Sequence, residues 1–170
     1  ISYRGPDSSE HLHINNKLTM AFHRLAIMGI SDSGNQPMKH PKDNSLTLIC
    51  NGEIYNYKKL ADDYGFKLTT GSDSEIILHL FKKIGIEDTV KSLDGVFMFV
   101  LYDQSKNLIY SARDPFGVRP GFIGYDSIEE ESCAIIFSYD QRRTERTPVG
   151  CSIGYWRCLC CCLLYTSPSP

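Results

Sequence analysis

Five short segments of the chain carry charged and amide side chains in combinations that chemistry can use. They are YRGPD at 3–7, FHRLAIMG at 22–29, NGEIYN at 51–56, TGSDSE at 70–75 and ARDPFGVRP at 112–120. Taken singly, each has a structural explanation: Arg4 to Asp7 suits a capped turn, Arg24 an edge strand, and Asp73 the first turn of a helix. An arginine and an acid can also hold a charged small molecule, so each segment leaves a structural and a functional interpretation open.

The pair Asn51-Gly52 raises a sharper question. Asn-Gly between apolar runs is typical of a two-residue hairpin turn. No second strand follows it here, because residues 58–62, KKLAD, have the composition of a helix. The pair therefore lies at the end of a strand, and a hairpin turn does not explain why Asn-Gly occurs there.

Hydrophobic patterning assigns these segments to strands and helices in a mixed order. Strands are predicted at 17–30, 46–55, 66–71, 95–103, 107–114 and 120–126, with a loop at 31–44 that is rich in Ser, Asp, Gly, Asn and Pro. A helix is predicted to start at a Ser72/Glu75 capping box and to stop at Gly85, with an apolar face made by Ile77, Leu80, Phe81 and Ile84. A second short helix is predicted over 86–93.

The strands come in runs with the helices grouped between them, which predicts an α+β fold with largely antiparallel sheets. The segment GVFMFVLY at 95–102 is apolar on both of its alternating faces. We therefore expect it to be covered on both sides, as in a four-layer αββα sandwich.

Bulk composition excludes several classes of function. The chain has 170 residues, 42% of them hydrophobic, which suits one globular domain with a sizeable core. Its net charge is −2 and its acidic and basic residues are interspersed, so we expect binding neither to nucleic acid nor to a membrane. No apolar run approaches the ~20 residues of a spanning helix. Seven cysteines without a regular spacing make no disulfide framework and indicate a reduced, cytoplasmic protein.

Residues 141–170 differ in character from residues 1–140. They show no helical or strand period and hold five of the seven cysteines. Zinc binding would need paired C-x2–4-C ligands, which the cluster at 158–162 lacks. Palmitoylation beside Leu163 and Leu164 is an alternative. The ending LLYTSPSP resembles translated adapter sequence, so we predict that 141–170 is a non-native or disordered Cys-rich tail and that 1–140 is the domain.

Together and in this order, RGPD, the HRL-A-I strand, NGEIYN, LDGVFMFVLYD and RDPFGVRP resemble the glutamine amidotransferase domain of the class II, N-terminal-nucleophile kind. Within that class they are most similar to the asparagine synthetases, which continue the Asn-Gly motif with EIYN. The resemblance covers residues 2–125. It implies an Ntn-hydrolase-type sandwich whose first strand is missing from this chain.

The resemblance implies a role for each singled-out residue. A thiolate attacks the glutamine side-chain amide, and the Asn51 side chain with the Gly52 N–H stabilises the resulting oxyanion. Arg24 binds the α-carboxylate of glutamine, and Asp73, with Glu53 nearby, accepts its α-ammonium. The remaining implied residues are Leu25, Ala26, Ile27 and Met28, whose backbone lines the pocket, and Arg4 and Asp7, which support the loop of the nucleophile.

The nucleophile of that family is a cysteine at the mature N-terminus, whereas this chain begins with Ile1. Cys50 directly precedes Asn51, and in a strand it is predicted to face the opposite side, as a small core residue. We therefore expect a fragment, truncated at both ends and inactive as a glutaminase.

The implied function is that of the glutaminase domain of a glutamine-hydrolysing asparagine synthetase. Such a domain releases ammonia from glutamine for the ATP-dependent amidation of aspartate in a synthetase domain that is absent here. No cofactor or metal is expected in the glutaminase domain, while ATP and Mg belong to the absent one. Expected partners are glutamine, the synthetase domain and a second copy of the parent protein. Another class II amidotransferase and a noncatalytic glutamine-binding module are the alternatives.

Overall fold

The computed structural model describes residues 7–15, 18–24 and 34–119, together with the backbone of 122–125, 133–136 and 156–160. These parts contain nine strands and two helices. The strands are β1 (Ser8–Asn15), β2 (Leu18–Arg24), β3 (Met38–His40), β4 (Asp43–Ile54), β5 (Gly95–Asp103), β6 (Leu108–Arg113), β7 (Phe122–Tyr125), β8 (Cys133–Ile136) and β9 (Trp156–Cys160), and the helices are α1 (Tyr57–Tyr64) and α2 (Glu75–Ser92).

The central layer is a five-stranded sheet with the strand order β3-β4-β5-β6-β9. Strands β3 to β6 pair antiparallel, and β9 joins β6 in parallel. Strands β1 and β2 form an antiparallel hairpin, and β7 pairs antiparallel with β8. The pairing of β4 with β5 runs without a break to Ile54, opposite Gly95. This pairing sets the register of the segment that holds Asn51 and Gly52.

Strand β5 is buried on both faces, as its sequence predicts. Phe99 and Leu101 lie in a core shared with the apolar side chains of α1 and α2. Val100 lies in a second core with Leu18 and Met20 of the hairpin. The described residues thus form three layers, namely the helices, the five-stranded sheet and the hairpin. The predicted α+β fold is confirmed, whereas the prediction of a second helical layer falls outside the described residues.

Two stretches differ from the sequence-based prediction. Part of the loop predicted at 31–44 is strand, since it contains β3 and the first residues of β4, with Met38 and His40 buried. Residues 66–71, predicted as a strand, form none. The N–H groups of Thr69 and Thr70 donate to the Glu75 carboxylate instead of to a neighbouring strand.

Helix α2 does not begin with the predicted capping box. Its N-cap is Ser74 instead of Ser72, and Ser74 makes no capping hydrogen bond with its side chain. The predicted apolar face is confirmed, because three of its four residues are buried and the fourth packs against them. Gly85, with φ +78° and ψ 175°, interrupts the helix where the sequence predicts its end, and a shorter helical stretch follows as predicted.

Strand β9 comes from the tail, whose sequence has no strand period. It pairs with the edge of β6 that β5 leaves open, where unpaired backbone groups favour an added strand. The non-native or disordered character of 141–170 stays a prediction.

Among the helices of the described parts, none has the length and apolar character needed to cross a membrane.

Candidate functional site

The edge of β4 that faces away from β5 changes partners along its length. Strand β3 pairs with it as far as Leu48. Next, the side chain of Gln36 accepts the Cys50 N–H at 2.5 Å and donates to the Cys50 carbonyl oxygen at 3.1 Å. Farther on, the Ile54 N–H donates to Asp73 Oδ2 at 2.6 Å. Side chains therefore hold this edge on both sides of residue 52.

Gly52 lies between these two anchors. In an antiparallel strand the N–H groups of alternate residues point to the same side, so the Gly52 N–H shares the side of Cys50 and Ile54. Phe97, opposite Gly52 on β5, is consistent with this, because its N–H and carbonyl oxygen both bond to Asp114 on the far side. The Gly52 N–H is thus directed away from β5, at a stretch of the β4 edge where none of the described strands pairs with it.

Only glycine fits at position 52. Its φ of +150° lies in a region that residues with a Cβ rarely adopt. A Cβ there would overlap the Val96 carbonyl oxygen and lie 2.6 Å from Phe97 Cα. The backbone that requires a glycine at position 52 is therefore that of β5.

Asn51 and Cys50 point to opposite faces of β4. Leu48 and Cys50 lie in the core beneath the helices, while Ile49 lies in the core beneath the hairpin. Alternation places Asn51 on the face of Ile49, towards the hairpin. Burial raises the pKa of the Cys50 thiol well above its ordinary value. The prediction that Cys50 is a buried core residue is confirmed, and it cannot act as the nucleophile.

Arg24, at the end of β2, is 7% exposed and donates from Nη1 to Asn35 Oδ1 at 2.5 Å. Asn35 directly precedes Gln36, which holds Cys50 at the edge of β4. Two consecutive residues therefore connect Arg24 to the edge that presents Gly52. The sequence carries no signal for Asn35 and Gln36, because they lie in a polar stretch without a periodic pattern.

Asp73 is 6% exposed and lies at the far end of the same edge. Its burial raises the pKa of the carboxyl group, and the neighbouring negative charge of Glu53 raises it further. Hydrogen bonds from the backbone N–H groups of Ile54, Asp73 itself and Ser74 oppose this rise without cancelling it. A cation placed beside Asp73 would remove the electrostatic penalty of its burial.

Asp114, from the ARDPFGVRP segment, is fully buried and orders the loop that follows β6. Oδ1 accepts the N–H groups of Phe116 and Val118 at 3.0 and 3.1 Å. Oδ2 accepts those of Phe97 and Arg119 at 3.3 and 3.5 Å. Asp114 therefore joins this loop to the part of β5 that lies against Gly52, a role that the motif did not reveal.

The structure brings together part of the predicted site. Gly52 and Asp73 share one strand edge, Asn51 and Glu53 flank Gly52, and Arg24 reaches the edge through its neighbours. The Asp7 N–H donates to the Arg24 carbonyl oxygen at 3.0 Å. The predicted residues that lie outside the described parts are Arg4, Leu25, Ala26, Ile27 and Met28. Within the described parts, no group of three or more His, Cys, Asp or Glu side chains could hold a metal ion.

A sequence profile of the family described as "Glutamine amidotransferase domain" matches residues 1–145. This chain belongs to that family. The amidotransferase domain is 44% identical over 124 residues to the asparagine synthetases [glutamine-hydrolyzing] of Gallus gallus and Homo sapiens. A probable asparagine synthetase of Acanthamoeba polyphaga mimivirus is 41% identical over 129 residues. These matches cover 72–74% of this chain and 22–23% of the relatives, so the chain spans about a fifth of their length.

Two solved structures share the fold of the amidotransferase domain. Glutamine phosphoribosylpyrophosphate amidotransferase from B. subtilis superposes with a TM-score of 0.53 at 26% identity, over 64% of this chain and 26% of that one. An allosteric regulatory enzyme of purine biosynthesis gives a TM-score of 0.52 at 27% identity, over 63% and 25%. The resemblance stated from the sequence motifs is confirmed at the level of this amidotransferase class.

Proposed function

We propose that this amidotransferase domain is the glutamine-binding part of a glutamine-hydrolysing asparagine synthetase. The observation that carries the proposal is the single edge of β4, on which the Gly52 N–H lies between the residues joined to Arg24 and the carboxylate of Asp73. The identity of 44% to asparagine synthetases supports a parent protein of that kind over one like the purine enzymes, which are 26–27% identical.

The two ends of a free amino acid match the two charged residues of the site. The guanidinium of Arg24 is suited to a carboxylate, because its planar set of donors can bind both oxygens. The buried carboxylate of Asp73 is suited to an ammonium, which offsets the penalty that raises its pKa. A ligand held by both residues would have its side chain near the Gly52 N–H, which lies between the two anchors of the β4 edge.

The donors at Asn51 and Gly52 would act on the side-chain amide of that ligand. When a thiolate attacks the amide carbon, the carbonyl oxygen becomes an oxyanion, and each preorganised donor lowers the barrier by about 3–4 kcal/mol. The tetrahedral intermediate then expels ammonia as the amide nitrogen gains a proton, and water hydrolyses the thioester. Cys50 cannot supply the thiolate because it is buried on the opposite face. We therefore infer that this chain binds glutamine without releasing ammonia.

The other parts of the parent reaction lie beyond this domain. ATP and Mg²⁺ would act in a synthetase region that uses the ammonia to amidate aspartate, and the glutaminase domain would need neither. Association with that region, dimerisation of the parent protein and a cytoplasmic location belong to the same proposal. The downstream coding sequence tests which molecule accepts the ammonia. An ATP-pyrophosphatase signature there supports an asparagine synthetase, and a phosphoribosyltransferase signature supports a purine enzyme.

Replacing Arg24 with glutamine is expected to weaken glutamine binding by at least about tenfold, because a charge-assisted pair with the α-carboxylate is lost. Isothermal titration calorimetry on the purified chain measures this change, with far-UV circular dichroism to check folding. Lys59→Gln, an exposed charge removal on α1, is the control and should leave binding unchanged. Equal affinities of the wild type and Arg24→Gln, or release of ammonia by the wild-type chain, would contradict the proposal.

Glutamine affinity is expected to fall as the pH is lowered through the raised pKa of Asp73. The carboxyl group must be ionised to accept an ammonium, and its pKa lies above the ordinary 3.8. Below that raised pKa, each further pH unit should weaken binding by about tenfold. Calorimetric titrations across acidic pH measure this slope. Asp73→Asn, which cannot titrate, should bind weakly with a flat profile, and a flat profile in the wild type would rule out the role of Asp73.

A further inference from the structure

Glu75, the first residue of α2, has a carboxylate that is 0% exposed and hydrogen-bonded on both oxygens. It accepts the backbone N–H groups of Thr69 and Thr70 at 2.8 and 2.7 Å, and their hydroxyl groups at 3.0 and 2.7 Å. His79 Nε2 lies 3.2 Å from Oε1. Burial alone would raise the pKa of Glu75, but these hydrogen bonds outweigh it and lower the pKa. The group is therefore an anion at neutral pH.

The loop that Glu75 holds is the one that carries Asp73. The Thr70 hydroxyl accepts the Ser72 N–H at 3.2 Å, and the Ser72 carbonyl oxygen accepts the Glu75 N–H at 3.3 Å. Residues 69–75 thus close around the Glu75 carboxylate. Within this closed loop, Asp73 extends to the Ile54 N–H on the edge of β4.

From this geometry we propose that Glu75 is a positioning residue for recognition of the ligand's ammonium group. Glu75 holds the loop that places Asp73, but does not itself lie on the β4 edge. It therefore determines how strongly the site prefers a free amino acid over the same molecule without its α-amine. This inference rests on the proposed function. It adds the role of Glu75 and a preference for ligands that carry an α-amine.

A glutamine at position 75 keeps the size of the side chain but not its acceptors. Oε2 of Glu75 accepts the backbone N–H groups of both threonines, and Oε1 shares that of Thr69 at 3.0 Å. An amide has one oxygen, so its NH₂ group would face a backbone N–H that cannot rotate away. The loop is then held by fewer hydrogen bonds, and Asp73 loses its fixed place.

The test compares glutamine with glutaramate, which is glutamine without its α-amine. In Glu75→Gln, calorimetry should show glutamine binding weakened by about tenfold. Glutaramate binding should change by less than about twofold, because that ligand is held through Arg24. The matched control is Glu87→Gln, the same substitution at an exposed position of α2, which should alter neither affinity.

Two outcomes would overturn the proposal. Equal weakening of both ligands, or no weakening of either, would mean that Glu75 serves stability alone. A cycle with Asp73→Asn adds a second criterion: the double variant should bind glutamine no more weakly than Asp73→Asn, and additive losses would contradict positioning. If Glu75→Gln does not fold, Thr70→Val, which removes one hydroxyl donor to the carboxylate, should show the same selective loss to a smaller extent.

An independent readout does not require a ligand. Hydrogen exchange of the Ile54 amide should become at least about tenfold faster in Glu75→Gln, because Asp73 then leaves its N–H exposed to water. The amide of Leu48, which lies where β3 pairs with β4, should be unaffected. If the wild-type chain binds neither ligand, the proposed function fails, while unchanged exchange at Ile54 would still refute the positioning role.

Discussion

Replacing Gly52 with alanine is expected to lower the free energy of unfolding by about 3–5 kcal/mol, because backbone strain and overpacking add together. The φ of +150° disfavours any residue with a Cβ. The added methyl group would also meet the Val96 carbonyl oxygen and Phe97 Cα, which are backbone atoms of β5 and cannot rotate away. Urea denaturation followed by circular dichroism measures the loss.

Gly65→Ala is the matched control for this substitution. Gly65, after α1, also has a positive φ of +68°, but a methyl group there would point into open space, with nothing beyond its chain neighbours within 4 Å. Its replacement should therefore lower stability only by the backbone term, about 1 kcal/mol. A loss at Gly52 no larger than the loss at Gly65 would show that β4 and β5 do not approach as closely as described.

Replacing Asp114 with asparagine is expected to lower the free energy of unfolding by about 2–4 kcal/mol, because buried N–H donors lose their acceptor. Each carboxylate oxygen accepts two backbone N–H groups, from Phe116 and Val118 on one side and from Phe97 and Arg119 on the other. Whichever way the amide is oriented, its NH₂ group faces two donors. Urea denaturation again provides the measurement.

Asp103→Asn separates this effect from the simple loss of a buried charge. Asp103 is 2% exposed, but its hydrogen bonds from Ser105 and Lys106 all end on Oδ1. An asparagine can keep them with its one oxygen and loses only the ion pair with the exposed Lys106 ammonium, so the change should stay within about 1 kcal/mol. Equal losses at Asp103 and Asp114 would contradict the explanation by acceptor geometry.

Both substitutions act on the same short part of β5. Phe97 lies between Gly52 on one side and Asp114 on the other. Its backbone groups are satisfied by Asp114, so they do not compete for the Gly52 N–H. The bonds between Asp114 and the Phe97 backbone therefore stabilise this part of β5 and also leave the Gly52 N–H available to an oxyanion.

Much of the fold could be predicted from local pattern. β5 is found at the predicted residues, because its run of apolar side chains suits burial between two layers. β1 and β3 could not be predicted, since their polar residues form strands only when a neighbouring strand accepts their backbone. The stretch 66–71 shows the reverse case, because a buried acid removed the donors of a predicted strand.

The sequence alone determined which side chains are available for chemistry, because residue type decides whether a group can donate, accept or carry charge. It also determined that position 52 holds glycine after an amide side chain. Only the tertiary structure decided that Gln36 and Asp73 meet one edge of β4, and that Asn35 links Arg24 to it. Contacts between residues 11 to 19 positions apart depend on how loops pack against a strand, and local pattern holds no information about that packing.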